Sequence, residues 1–157
     1  MKQVFLFIVA MIISFIPGVV GGMFSPHGAS DVWYNALNKS VLTPDGWVFG
    51  VAWGILYALL GVALFLVMRN DKTRHSKTRA YSLFFVQMVL NALWSYAFFG
   101  AHMAGWALIV LIALICVAIL MMRAFRPFSR AAAGLVWPYI IWMIFATYLN
   151  ISIMWLN

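Results

Sequence analysis

Apolar residues run almost without interruption through 4–23 and 46–68, then from Ala80 to Met122, and again through 131–156. A soluble helix hides one apolar stripe and shows a polar face. These runs have no polar face, and a bilayer-crossing helix needs about 20 predominantly apolar residues. The region between Arg79 and Arg123 holds no Lys, Arg, Asp or Glu. As one helix it would be roughly 65 Å long, about twice the hydrocarbon core. The stretch "GAHMAG", Gly100 to Gly105, is the natural break, with glycine at both ends. The pattern predicts an all-α membrane protein, a bundle of five transmembrane helices in one domain over residues 1–157. The expected spans are 4–23, 46–68, 80–99, 104–122 and 131–156, and loop 24–45 joins the first two.

Composition agrees. The chain is 66% hydrophobic and 8% charged, against roughly 25% charged in soluble domains. The formal charge of +7 raises nucleic acid as a partner, but the placement of the charges argues against it. Five spans put the N-terminus, loop 69–79 and loop 123–130 on one side. These carry Lys2, Arg69, Lys72, Arg74, Lys77, Arg79, Arg123, Arg126 and Arg130, whereas the other side has only Lys39. The positive-inside rule places the basic loops in the cytoplasm, with loop 24–45 and the C-terminus outside. The run "RNDKTRHSKTR" could meet RNA or anionic headgroups, yet a topology signal on a short solvated loop explains it more simply. Lys2 followed by apolar and small residues also has the look of a signal peptide, whose removal would leave four spans. Gly18 and Gly22 form a GxxxG that suits a retained, closely packed helix.

Polar side chains within lipid tend to face the bundle interior. Gln87, Asn91 and Ser95 recur every four residues in the third span, beside Trp94 and Phe98. Pro138, Trp142, Ala146 and Asn150 recur likewise in the last, and Gly50, Gly54, Tyr57 and Gly61 share a face of the second, next to Trp53. Each feature has a plainer account. Membrane amides often bond a neighbouring helix, Pro138 can simply kink its helix, and an interfacial aromatic belt would explain Trp33, Tyr34, Trp47, Trp106 and Trp155. It explains Trp53, Trp94 and Trp142 less well, because they lie inside their spans. Together the three faces imply a cavity walled by flat aromatics and a few amides, with loop 24–45 as its lid. Such a site fits a large, flat, mostly apolar ligand with a few polar edges.

Other chemistry is missing. Asp31, Asp45 and Asp71 are all in loops, and the chain has no glutamate. A proton-coupled carrier usually needs an ionisable group within the membrane. His27, His75 and His102 share no helical face, which argues against a bis-histidine haem or zinc site. No nucleophile–histidine–acid set is visible. Cys116 is the only cysteine, so no disulfide forms within the chain.

Four motifs in order resemble the tryptophan-rich sensory proteins, TspO, related to the mitochondrial translocator protein or peripheral benzodiazepine receptor. They are "WYNALNK" at Trp33–Lys39, "TPDGWVFGVAWGILY" at Thr43–Tyr57, "QMVLNALWSYAFFG" at Gln87–Gly100 and "WPYIIWMIFATYLN" at Trp137–Asn150. The family's loop typically reads Lys-Pro-x-Trp-x-Pro-Pro. Here Ser40, Leu42 and Asp45 stand at the first proline, the tryptophan and the last proline, which implies a less rigid lid. The sterol-recognition segment of animal members is absent, and the loose sterol patterns "VWYNALNK" and "RAYSL" do not make cholesterol the expected ligand.

The resemblance implies a homodimeric five-helix bundle that binds porphyrin, haem or synthetic isoquinoline and benzodiazepine-type ligands, with no obligatory cofactor and no metal. It carries over Trp33, Tyr34, Pro44, Trp53, Tyr57, Asn91, Trp94, Trp142 and Ala146 as the ligand site. Trp53 and Asn91 would be polar anchors, because an indole N–H and an amide can bond a ligand carbonyl. Three functions compete. One is a receptor or sensor that also moves tetrapyrroles. The second is an enzyme of light-dependent porphyrin degradation using Trp33 and Trp142, and the third is a partner-binding protein with a vestigial pocket. The absence of an acid–base pair favours the first.

Overall fold

The computed structural model describes residues 1–25, 32–70 and 76–157. His27, Asp31, Asp71, Lys72, Arg74 and His75 lie outside the described residues. The helices are α1 (Lys2–Gly22), α2 (Val32–Ala36), α3 (Gly46–Met68), α4 (Thr78–Ser95, continued by a π-helical turn over Tyr96–Gly100), α5 (Ala104–Phe125), α6 (Arg130–Gly134) and α7 (Trp137–Leu156). Five helical stretches are long and apolar enough to cross a bilayer: Lys2–Gly22, Gly46–Met68, Thr78–Gly100, Ala104–Phe125 and Arg130–Leu156. The chain is an all-α, multi-pass membrane protein. The break expected at Gly100–Gly105 is where the third span ends and α5 begins.

α1 packs along α3 and also meets α4; α4 lies on α5, and α5 on α7. Close approach comes from small residues. The buried positions of α1 are Ala10, Ser14, Pro17 and Gly21, one stripe at helical spacing. A Cβ on Gly61 of α3 would come within 2.7 Å of Ser14 Oγ and 3.3 Å of the Met11 Cα. A Cβ on Gly18 would lie 2.5 Å from the Tyr57 ring, and one on Gly21 would lie 2.7 Å from Ser95 Oγ. At Gly22 it would meet nothing within 4 Å. The close-packing pair is therefore Gly18 and Gly21 rather than the expected Gly18 and Gly22.

The last span departs from a single helix. Ser129 caps α6 by accepting from the Ala132 N–H at 3.1 Å, and α6 ends at Gly134. Pro138 sits in the first turn of α7, where its missing N–H breaks no helical hydrogen bond. It is exposed, not on the interior face expected for it. Tyr139 takes that place, 1% exposed. Gly50 and Gly54 also leave the expected face: a Cβ at either would meet nothing within 4 Å.

The core at the basic end is close-packed and apolar. Phe84, Phe125, Leu114, Met121 and Val67 are fully buried there, and Phe84 stacks on Phe125 with ring centroids 6.4 Å apart. The backbones of α3, α4 and α7 approach one another only sparsely. Toward the lid end, large aromatic side chains line the space between them.

Candidate ligand-binding site

The π turn ends α4 with an Ala101 N–H to Tyr96 C=O bond at 2.7 Å. It buries Ala97 and Phe98 and aims Phe98 and Phe99 at the lid. Phe98 stacks on Trp94 at 5.6 Å, and Phe99 meets Trp94 edge-on at 5.8 Å. On α3, Trp53 stacks on Tyr57 at 5.3 Å and lies 6.5 Å from Trp94 and 6.4 Å from Tyr139. Rings from α3, α4 and α7 thus form one continuous aromatic surface.

An amide relay lies at its base. Tyr57 donates its hydroxyl to Asn91 Oδ1 at 2.7 Å, and Asn91 Nδ2 donates to the Tyr139 hydroxyl at 3.1 Å. Asn91 is 1% exposed, and two of its hydrogen-bonding positions are engaged within the protein. Nearer the lid, Trp94 Nε1 donates to Asn150 Oδ1 at 3.4 Å, and Asn150 Nδ2 donates to the Ala104 carbonyl at 2.9 Å. These bonds fix the ring planes and join α4, α5 and α7.

Trp53, expected as the second anchor beside Asn91, differs from it. Trp53 is half-buried, and its indole N–H has no hydrogen-bond partner among the described residues. The same holds among the described residues for Trp33 and Trp142, whereas the indole N–H of Trp94 is engaged. Gln87, one turn below Asn91, is 2% exposed and also has no hydrogen-bond partner among the described residues.

The lid is tied at several points. Trp33 stacks on His102 at 4.1 Å with planes 12° apart, and meets Phe98 edge-on at 5.8 Å. His102 adopts φ 57°, a left-handed conformation that costs a non-glycine residue about 1–2 kcal/mol. Tyr34 rests edge-on against Phe99, with Lys39 Nζ 4.5 Å from the Tyr34 ring centre. Asn38 N–H donates to Asn157 Oδ1 at 2.9 Å, and Asn157 Nδ2 returns a bond to the Asn38 carbonyl. Ser40, standing where the family has a proline, shares a 2.7 Å hydrogen bond with the Tyr148 hydroxyl. Its carbonyl also accepts from the Thr43 N–H. A hydrogen-bonded turn thus occupies the place of the proline.

The remaining expected residues are placed less uniformly. Trp142 is half-buried and meets Phe49 and Phe145 at 5.9 and 5.6 Å. Ala146 is buried in the main core. Pro44 is half-buried just ahead of α3. The reading of the sequence missed Tyr139, Phe49 and the role of His102. Tyr139 sits one position past the stripe that began at Pro138, because a strict spacing of four drifts by about 40° per step along α7. The eight tryptophans divide evenly. Trp33, Trp53, Trp94 and Trp142 are half-buried, whereas Trp47, Trp106, Trp137 and Trp155 are exposed, as an interfacial belt requires. Trp33 leaves that belt and joins the site.

The family model for the TspO/MBR family matches residues 7–156. "Tryptophan-rich protein TspO" of Archaeoglobus fulgidus is 36% identical over 150 residues, covering 96% of each chain. "Translocator protein" of Homo sapiens is 36% identical over 132 residues, covering 83% of this chain and 78% of its own. "Tryptophan-rich sensory protein" of Cereibacter sphaeroides is 33% identical over 141 residues, covering 90% and 84%. With that match across nearly the whole chain, and the aromatic site built from the same segments that carried the resemblance, the protein belongs to the TspO/MBR family.

Proposed function

We propose that this membrane protein is a receptor for a flat, mostly apolar ligand of the porphyrin or haem type, held between α3, α4 and α7 beneath the tethered lid. One observation carries the reading: half-buried Trp53, whose indole N–H has no partner among the described residues, stands in the aromatic surface shared by α3, α4 and α7. A stacked macrocycle gains dispersion from the rings. A carbonyl or carboxylate on its edge accepts from the free donor on Trp53. Asn91 acts chiefly by holding Tyr57 and Tyr139 in place, with one amide hydrogen left for a ligand. Names of relatives that speak of sensing and translocation accord with such a receptor. The basic end, with Lys2, Arg69, Lys77, Arg79, Arg123, Arg126 and Arg130, faces the cytoplasm on this reading and the lid faces outward. The functional unit is a homodimer, and movement of a tetrapyrrole would use the same site.

The test is a titration with protoporphyrin in the dark, followed by tryptophan quenching and then by illumination. Saturable quenching that weakens in Trp53→Phe and in Asn91→Ala is expected. Absence of saturable quenching would leave a structural or partner-binding role. A defined porphyrin product that depends on Trp33 or Trp142 would make the protein the photochemical enzyme instead.

A further inference from the structure

At the end of the bundle opposite the lid, a cleft of about 230 Å³ opens between the start of α4 and the end of α5. Arg79, in the first turn of α4, and Arg123, in the last turn of α5, both line it. These two arginines come from the two different basic loops. Taken separately, each reads as a topology signal, but the fold brings them to one concavity.

Its floor is apolar: Ala80 and Phe128 are buried, with Ala124 and Pro127 beside them. Two ties fix the walls. Lys77 Nζ donates to the Met68 carbonyl at 2.9 Å, and Asn70 Nδ2 donates to the Phe128 carbonyl. Both loops are thereby held against the end of α3.

Neither arginine has a carboxylate partner among the described residues. The only acidic side chain described is Asp45, at the far end of α3. Arg79 also sits where the helix dipole disfavours a cation, a cost that an anion in the cleft would reverse. Two exposed guanidiniums above an apolar floor, at the level where spans meet water, match a phosphate with an attached acyl chain. A guanidinium pairs with phosphate oxygens bidentately.

We propose that this cleft is a binding site for the phosphate headgroup of an anionic phospholipid, distinct from the aromatic site. Arg79 and Arg123 clamp the phosphate, and the glycerol and first acyl carbons rest on Phe128 and Pro127. Free inorganic phosphate shares the charge chemistry but gains nothing from the floor.

The test uses full-length protein in vesicles of equal phosphatidylcholine and phosphatidylglycerol, extracted gently, with co-purifying lipid measured by mass spectrometry. Wild type should retain phosphatidylglycerol preferentially. Arg79→Gln and Arg123→Gln should each cut that preference about fivefold, the worth of one cation at an anionic surface. Arg126→Gln, which removes a charge at the same end but outside the cleft, should leave it near wild type. Ala124→Phe fills the floor without changing charge and should abolish the preference. Each variant is checked for an unchanged dark protoporphyrin titration, so a misfolded protein is recognised. If Arg126→Gln acts as strongly as Arg79→Gln, the attraction is diffuse and the site does not exist. Release of the lipid by millimolar inorganic phosphate would reassign the cleft to a free anion. No preference in wild type would also overturn the proposal.

Discussion

The two halves of the bundle use the same helices for opposite purposes. At the basic end, Phe84, Leu114, Met121, Phe125 and Val67 are packed with no exposed surface. At the lid end the interior is lined by Trp53, Tyr57, Trp94 and Tyr139, with Asn91 bonded between the two tyrosines. Tight packing in the first half holds the helices in place. The second half then presents indole donors that have no partner among the described residues. Stability and recognition are separated along the membrane normal, and single substitutions should separate them too.

The largest effect is expected at Phe84, which is fully buried. Phe84→Ala opens a cavity and should cost about 3–5 kcal/mol of stability. Thermal melting in detergent reads the loss, while porphyrin affinity per folded molecule stays unchanged. Next comes Asn91→Leu, which strands two tyrosine hydroxyls in an apolar setting at about 1–3 kcal/mol. Melting temperature and porphyrin affinity should fall together. Gln87→Met has the opposite sign. It removes a buried amide that has no partner among the described residues, so ligand-free protein should melt higher, by about 1–2 kcal/mol; a lower melting point would mean that Gln87 is bonded. The smallest stability change belongs to Trp53→Phe, which keeps the stack on Tyr57 and deletes only a free donor. Its melting temperature should hardly move, yet affinity for a carboxylate-bearing porphyrin should drop roughly tenfold, the worth of one charge-assisted hydrogen bond. Equal loss of affinity in Phe84→Ala and Trp53→Phe would erase the distinction between the halves.

Much of this was legible in the chain. Apolar run length fixes the number of spans, because a bilayer sets a minimum length that few other environments impose. The Gln87–Asn91–Ser95 stripe reads directly as an interior face, since amides avoid acyl chains, and all three are buried. What escaped has physical causes. A strict spacing of four drifts by about 40° per step on a helix, so the buried stripe of α7 runs through Asn150, Ala146, Met143 and Tyr139 and leaves Pro138 outside it. Small-residue packing depends on the partner helix, so Gly21 rather than Gly22 could be told only from where Ser95 lies. The ties of Asn38 to Asn157, and the meeting of Arg79 with Arg123, join residues far apart in sequence that share no local pattern.

The most direct measurement is the indole N–H region of a nitrogen-15 NMR spectrum during a dark protoporphyrin titration. The signals of Trp33, Trp53, Trp94 and Trp142 should shift together along one saturable curve, with Trp53 moving toward a hydrogen-bonded position. Those of Trp47, Trp106, Trp137 and Trp155 should stay still. Equal shifts at the exposed four would mean that the porphyrin merely partitions around the protein, and the receptor account would be wrong.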